Sequence, residues 1–265
     1  MMIYLKYFKV RLVANLQYRT AALAGISTQF FWGIMNILIY QAFYNNTNTS
    51  MTLESLITYV WLNQAFMGLI YFFSVDKDMI RQIKNGDIAY EIVRPYNPYL
   101  WWFFKSLATK YATTLLRFSP IIIIPLFLPH PFNLALPYSA FNFILFVICL
   151  FLGSLIVTAI HLIIQAFAFY TVNDEGVSRL IIIIAEFLSG FIIPIPLFPI
   201  WLQNLVYFLP FRLVGDLSFR VYSNNITVNE ALLNISFQVI WISILVFIGY
   251  KITTKALNKM HIQGG

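Results

Sequence analysis

The chain has 265 residues, of which 60% are hydrophobic and only 10% are charged. Soluble domains carry roughly 25% charged residues, so this composition excludes an ordinary soluble protein. Six apolar stretches approach or exceed the ~20 residues that cross a bilayer as a helix. A membrane barrel would instead show alternating segments of ~10 residues, whereas these runs are continuous. The sequence therefore predicts an all-α polytopic membrane protein.

The net charge of +7 could indicate a nucleic-acid partner, but the basic residues are scattered at the ends of apolar runs. The positive-inside rule explains that distribution better, so no nucleic acid is expected. A single cysteine, Cys149, excludes a disulfide framework within one chain. The histidines His130, His161 and His261 show no metal-ligand spacing, and we expect no metal.

Residues 3–20 predict an N-terminal interfacial helix. Lys6, Lys9, Arg11 and Arg19 interleave with Leu5, Phe8, Leu12 and Leu16, whose spacing places these apolar residues on one helix face. The alternative is a basic flank that only sets topology. The following run, Ala21–Phe43, is longer than the core of a signal peptide, and no clear cleavage site follows it. We interpret it as an uncleaved first span.

The apolar runs and basic residues together predict six spans with both termini in the cytoplasm. Spans one to four are placed at about 21–43, 53–73, 108–128 and 138–168, and the sixth at about 232–250. Most of the 17 basic residues fall in the N-terminal flank, in segment 76–110 and in the C-terminal tail. The loops 44–52 and 129–137 hold none. This asymmetry implies an even number of spans.

The last third of the chain breaks the pattern. Leu180–Ile193 and Trp201–Pro210 are each too short to span comfortably, and prolines lie between them. We predict a re-entrant helical hairpin at 190–211 before the last span, followed by a polar outer segment. The alternative is one kinked span ending near Ile200. The hairpin would form a gate with Gly190, Pro194, Pro196, Pro199 and Pro210.

Few residues could carry chemistry inside the membrane. No GxxxxGK[ST] loop occurs, so this chain lacks the phosphate cradle of a P-loop nucleotidase. The ionisable residues deep in apolar runs are Arg117, His161 and Glu186. Each is a functional candidate, although Arg117 could also snorkel or pair with a neighbouring helix, and His161 or Glu186 could simply satisfy an interhelical hydrogen bond. Glu186 is the sole carboxylate that an ion-coupled carrier could use, which argues against self-powered transport.

Segment 76–105 concentrates charge between two long apolar runs. Met79, Ile80, Ile83 and Ile88 alternate there with charged residues, and Arg94-Pro95 ends any helix because the residue before proline favours extended geometry. Aromatic residues 96–104 then predict a belt at the membrane interface. The segment is a plausible lever for a cytosolic partner. The alternative is a solvated connector.

Within this segment, IKNGDIAYEIVRP resembles the G-D-I…L-x-R-P element of ABC-2-type transporter permeases of the DUF990-like branch. Gly86, Asp87, Ile88, Arg94 and Pro95 match, whereas Val93 stands where leucine is usual. The length, the basic N-terminal helix and the proline-rich break are similar to those of the family as well. Only the element at 83–95 is specific.

The resemblance implies a single domain, 1–265, acting as a non-enzymatic permease subunit of an ATP-binding-cassette exporter in the bacterial inner membrane. It implies a dimer with a second permease copy or paralogue, two copies of a separate ATPase that hold ATP and Mg, and surrounding lipids. No cofactor is expected on this chain itself. The residues of the implied coupling region are Arg81, Lys84, Gly86, Asp87, Ile88, Glu91, Arg94 and Pro95.

Two other function classes stay open at this point. A membrane enzyme acting on lipid-linked substrates would need a polar cluster at one leaflet, for which Arg212, Asp216 and Arg220 are the outer candidates. A secondary carrier would require Glu186. The transported substrate does not follow from the sequence.

Overall fold

The structure is a computed structural model that describes residues 1–44, 51–72, 79, 81, 88, 94–166 and 174–258. Within these ranges the regular elements are helices and no strand occurs. The α-helices are α1 (Met2–Asn15), α2 (Arg19–Tyr44), α3 (Leu53–Ile70), α4 (Pro98–Leu115), α5 (Phe118–Leu126), α6 (Ala140–Ala166), α7 (Asp174–Leu188), α8 (Ile200–Tyr207), α9 (Asp216–Tyr222) and α10 (Val228–Asn258). The all-α prediction is confirmed for the described part of the chain.

Helix α3 lies at the centre of the molecule. Thr52 caps it by accepting a hydrogen bond from the backbone N–H of Ser55 at 3.2 Å, which satisfies one of the free donors at a helix start. Tyr59 and Trp61 are fully buried, and α2, α4, α5, α6 and α9 pack around them. Most residues of α3 are buried, including the polar Asn63 and Gln64.

Four helices are long and apolar enough to cross a membrane: Ala22–Tyr44, Pro98–Leu126, Ala140–Ala166 and Val228–Asn258. They contain the predicted spans one, three, four and six, apart from a few residues at their ends. Helix α3 has 18 residues and covers most of span two, while α7 has 15. The multi-pass architecture is clear, and the count of six spans stays a prediction.

The third predicted span begins at the wrong residue. Helix α4 starts at Pro98, ten residues earlier than predicted, with the Asn97 side chain accepting from the Leu100 N–H at 3.1 Å. Proline at the first helical position is pre-organised for a helix and favours this start. The helix is interrupted at Arg117, and α5 continues from Phe118.

Helix α1 packs against α4. Tyr4 accepts a hydrogen bond from the Asn97 N–H at 2.9 Å, and the Tyr7 ring stacks on Trp101 at 3.5 Å. The predicted apolar face is partly wrong, because Leu5 is 54% exposed and Tyr4 is the buried residue of this helix. Aromatic packing onto α4 decides this orientation. The helix also ends at Asn15 rather than at residue 20.

Large apolar side chains are exposed along α2, α6 and α10, for example Phe31, Phe151 and Phe247. Exposed apolar area of this extent marks a surface that faces lipid or another protein. These faces agree with a chain whose helices stand in a bilayer.

Candidate functional site

The predicted coupling region is described at only a few positions. Arg81, Arg94 and Pro95 are exposed, and Arg94 donates a hydrogen bond to the Tyr96 hydroxyl at 3.2 Å. Ile88 is completely buried in the main core. Lys84, Gly86, Asp87 and Glu91 lie outside the described residues. The described part therefore combines exposed charge with a buried apolar anchor.

Three buried ionisable side chains meet at the end of α3, immediately before this region. The Lys110 ammonium of α4 donates to the Tyr71 carbonyl at 3.0 Å. The His161 imidazole of α6 hydrogen-bonds the Phe72 carbonyl, and the buried Glu186 carboxylate of α7 lies beside the Phe72 backbone. We call this cluster the α3 junction.

The α3 junction exists because helix ends leave backbone groups without partners. In apolar surroundings such groups must be hydrogen-bonded, since an unpaired buried carbonyl costs several kcal/mol in hydrocarbon. Lys110 is 2% exposed and His161 1%, so water does not compete for them. The junction thus connects α4, α6 and α7 to the chain just before the coupling region.

Sequence reasoning found His161 and Glu186 but missed Lys110. It assigned Lys110 to the basic flank of segment 76–110, whereas the residue is buried within α4. One signal was present: Lys110 stands seven residues before Arg117, and that spacing places both on one helix face. The carbonyl it meets, on Tyr71, could not be identified from spacing.

The proline-rich segment contains three short helical pieces, and a proline precedes each of them. Pro194 precedes a 3-10 turn at Ile195–Leu197, and Pro199 precedes α8. Pro196 lies inside the first turn, and Pro210 precedes a second at Phe211–Leu213. Gly190 ends the α7 region with φ +79, a left-handed conformation that favours glycine. The break that the prolines predicted is present at these positions, but its relation to the membrane stays a prediction.

Side chains of α2 and α3 hold the start of this segment. Tyr59 donates to the Gly190 carbonyl at 3.1 Å, Asn63 to that of Phe191 at 2.9 Å, and Tyr40 to that of Ile192 at 2.9 Å. Three consecutive carbonyls that no helix satisfies thus find donors on neighbouring helices. The three donor groups are neutral.

The end of the segment is buried as well. Arg212 is 4% exposed, hydrogen-bonds Asn234 of α10, and lies 4.2 Å over the Tyr207 ring. Asp216 is fully buried with its carboxylate 3.8 Å from Arg220. The predicted polar outer segment, 211–231, is therefore mostly buried from 211 to 222, and its place outside the membrane stays a prediction. Its polar residues pair with one another and let the apolar ones pack inside.

This pairing also weakens the lipid-enzyme alternative. Arg212 and Asp216 are inaccessible, and Tyr59 donates to the Asp216 carboxylate at 3.1 Å. Side chains committed to structural hydrogen bonds in the core do not form an accessible catalytic cluster.

Arg117 does not take part in the α3 junction. It stands at the break between α4 and α5, and its guanidinium lies against α2 at Gly25, where a Cβ would come within 2.5 Å of the guanidinium carbon. Only glycine permits so close an approach. Together with Lys110 and Gln29 it lines a cavity of about 170 Å³.

A second, larger cavity of about 460 Å³ opens between α3, α4, α5 and α6. Phe66, Leu69, Phe118 and Phe146 are among its almost wholly apolar lining residues. Such a groove accepts hydrocarbon and offers little that would orient a polar ligand.

Residues 30–264 match the family described as ABC-2 family transporter protein. The match covers α3 to α10 and most of α2. No curated protein matches the chain significantly. Because the family match spans most of the chain and agrees with its apolar helices, the chain belongs to the ABC-2 transporter family and is a multi-pass membrane permease component of an ABC transporter rather than an enzyme.

Proposed function

We propose that the chain is the permease subunit of a bacterial exporter and forms the translocation route as a dimer with a second copy or a paralogue. Two copies of a separate ATPase hold ATP and Mg and drive it. In this arrangement the protein lies in the inner membrane with six spans, α1 at the interface and both termini in the cytoplasm. The proline-rich region 190–211 is a re-entrant gate.

The observation that carries the proposal is the position of the coupling region relative to the α3 junction. Segment 76–105 follows α3 directly, and its exposed Arg81 and Arg94 can meet a protein partner. The buried side chains of Met79 and Ile88 attach it to the main core. A partner that pushes on this segment therefore pushes on the end of α3.

Helix α3 then connects the coupling region with the gate. Its end is bonded to α4 and α6 through Lys110 and His161, and Glu186 of α7 lies beside it. Its middle holds the first residues of the gate through Tyr59 and Asn63. Closure of the ATPase dimer on ATP would tilt α3 as a rigid rod. Both the helices around the route and the gate would move with it.

The test is charge reversal in the coupling region. Asp87→Lys and Arg94→Glu should each abolish co-purification of the partner ATPase and its stimulation, while membrane insertion is unchanged. The measurement is recovery of co-expressed ABC ATPases from the source genome on the tagged permease. Lys255→Glu is the matched control, since Lys255 is an exposed basic residue near the end of α10, on the same side in this orientation. Unchanged ATPase recovery and transport in both coupling variants would overturn the assignment.

A secondary carrier has less support. It would need a relay of ionisable groups along the route, but Glu186 lies beside the Phe72 backbone at the α3 junction, next to the structural hydrogen bonds of Lys110 and His161. We therefore assign Glu186 to positioning.

A further inference from the structure

We propose that the cavity between α2, α3 and α4 binds a phosphate group, carried by a membrane amphiphile or free in solution, with Arg117 as its principal contact. This ligand site goes beyond the exporter function proposed above. Its binding reaction involves neither ATP nor the partner ATPase, so it can be tested independently of them.

The cavity has room and polar lining. Its volume of about 170 Å³ is several times the ~30 Å³ that one water molecule occupies, so a group of several atoms fits. The lining residues are Gln29, Met67, Gly68, Tyr71, Thr109, Lys110, Thr113 and Arg117. Most of them carry a hydrogen-bonding group, in contrast to the larger apolar groove.

The charge in the cavity is positive. Lys110, Thr113 and Arg117 stand at i, i+3 and i+7, so they project from one face of the α4 region into the same space. Among the described lining residues none is acidic. A guanidinium surrounded by hydroxyl and amide groups is suited to phosphate oxygens.

Arg117 has no protein partner in the described chain. Its Nε is buried without a hydrogen bond, and neither a carboxylate nor an aromatic ring pairs with its guanidinium among the described residues. The two arginines near the gate differ, because Arg220 has Asp216 and Asn225 and Arg212 has Asn234. A charge within a membrane span is costly unless it is paired. Nothing among the described residues neutralises Arg117, and an anion from outside the chain would do so.

The depth of the cavity suits a lipid phosphate. Tyr71, the first residue after α3, lies on its wall, so the cavity reaches the level at which α3 leaves the apolar region. Lipid phosphates lie at that boundary. Helices of a single chain enclose the cavity. A small phosphate group therefore enters it more easily than a carboxylate carried on a helix of a second copy of this chain.

The experiment measures binding of two probes to the full-length chain in detergent. Native mass spectrometry counts bound phosphatidylglycerol on the delipidated protein, with phosphatidylcholine for comparison, and inorganic phosphate is added as a competitor. Arg117→Gln should lower the affinity of the tightest phosphatidylglycerol site at least tenfold. Thr113→Phe, which fills the cavity but keeps both cations, should lower it similarly. Arg11→Gln removes an exposed arginine from α1 and should change it less than twofold.

Competition separates the two sources of the phosphate group. Displacement of the lipid by millimolar phosphate would assign the site to the phosphate group itself, whereas resistance to it would assign the site to the whole lipid. Both results support the proposal if Arg117 is required. The proposal is overturned if binding of both probes is unchanged in the Arg117 and Thr113 variants, provided that these variants keep the elution volume and Tm of the parent. Arg117→Lys keeps the charge and controls for folding, and it should retain part of the affinity.

Discussion

Two irregular stretches of backbone lie among the apolar helices, and their hydrogen bonds are supplied by different kinds of side chain. At the α3 junction, the carbonyls of Tyr71 and Phe72 are bonded by the ionisable side chains of Lys110 and His161. At the start of the gate, the carbonyls of residues 190–192 are bonded by neutral hydroxyl and amide groups.

The difference concerns motion. Burying a neutral donor costs little free energy once its hydrogen bond forms. Neutral donors on rigid helices therefore suit a stretch of backbone that keeps one position relative to those helices. Ionisable groups are more expensive to bury, and their presence at the α3 junction indicates a role other than stability. The junction adjoins the segment on which an ATPase would act. We therefore expect the hydrogen bonds at the start of the gate to contribute more to the stability of the protein. Those at the α3 junction should matter more for coupling to the ATPase.

The largest effect on stability is expected from Gly190→Ala. The left-handed backbone costs a side chain about 1–2 kcal/mol, and a Cβ would come within 2.8 Å of the Tyr59 hydroxyl. Together these should lower the unfolding free energy by about 2–4 kcal/mol, measured by SDS titration in mixed micelles. Gly176→Ala in α7 is the control, because nothing lies within 4 Å of its added Cβ. There the change should be neutral or stabilising by about 0.5–1 kcal/mol. Equal effects of the two substitutions would contradict the assigned gate geometry.

An intermediate effect on stability, with a large effect on coupling, is expected from His161→Leu. Loss of the bond to the Phe72 carbonyl should lower the unfolding free energy by about 1–3 kcal/mol. The ATPase should still co-purify with the variant, but its transport-linked stimulation should be lost. Asn142→Leu is the matched control on the same helix, since Asn142 donates to the Val221 carbonyl at 2.8 Å far from the junction. It should lose similar stability and keep stimulation. If both variants lose stimulation equally, the junction has only a structural role.

The smallest effect is expected from Glu186→Gln. The amide keeps the shape of the carboxylate and an oxygen acceptor beside the Phe72 backbone, so the unfolding free energy should change by roughly 1 kcal/mol or less. ATP-driven export should remain largely intact, measured as substrate efflux from vesicles at several pH values. Complete loss in the variant, with pH-dependent efflux in the parent, would instead favour the secondary carrier.

Local features of the chain predicted its helices and its breaks well. Prolines 194, 196, 199 and 210 indicated short pieces, and the chain does change element beside them. The start of α4 was predicted too late, since Lys105 and Lys110 count among the basic residues of segment 76–110. The segment 211–222 was misjudged for a related reason. Its charged residues are internally paired, and pairing is invisible in composition.

Class and helical content followed from composition and hydropathy alone, because every backbone group in a bilayer must be satisfied and long apolar runs achieve this as helices. The candidate sites did not follow from the chain order. Lys110 meets a carbonyl 39 residues away, His161 one 89 away and Tyr59 one 131 away. Which donor reaches which carbonyl, and why Arg117 has a cavity instead of a partner, depends on how the helices pack. No local pattern encodes that arrangement.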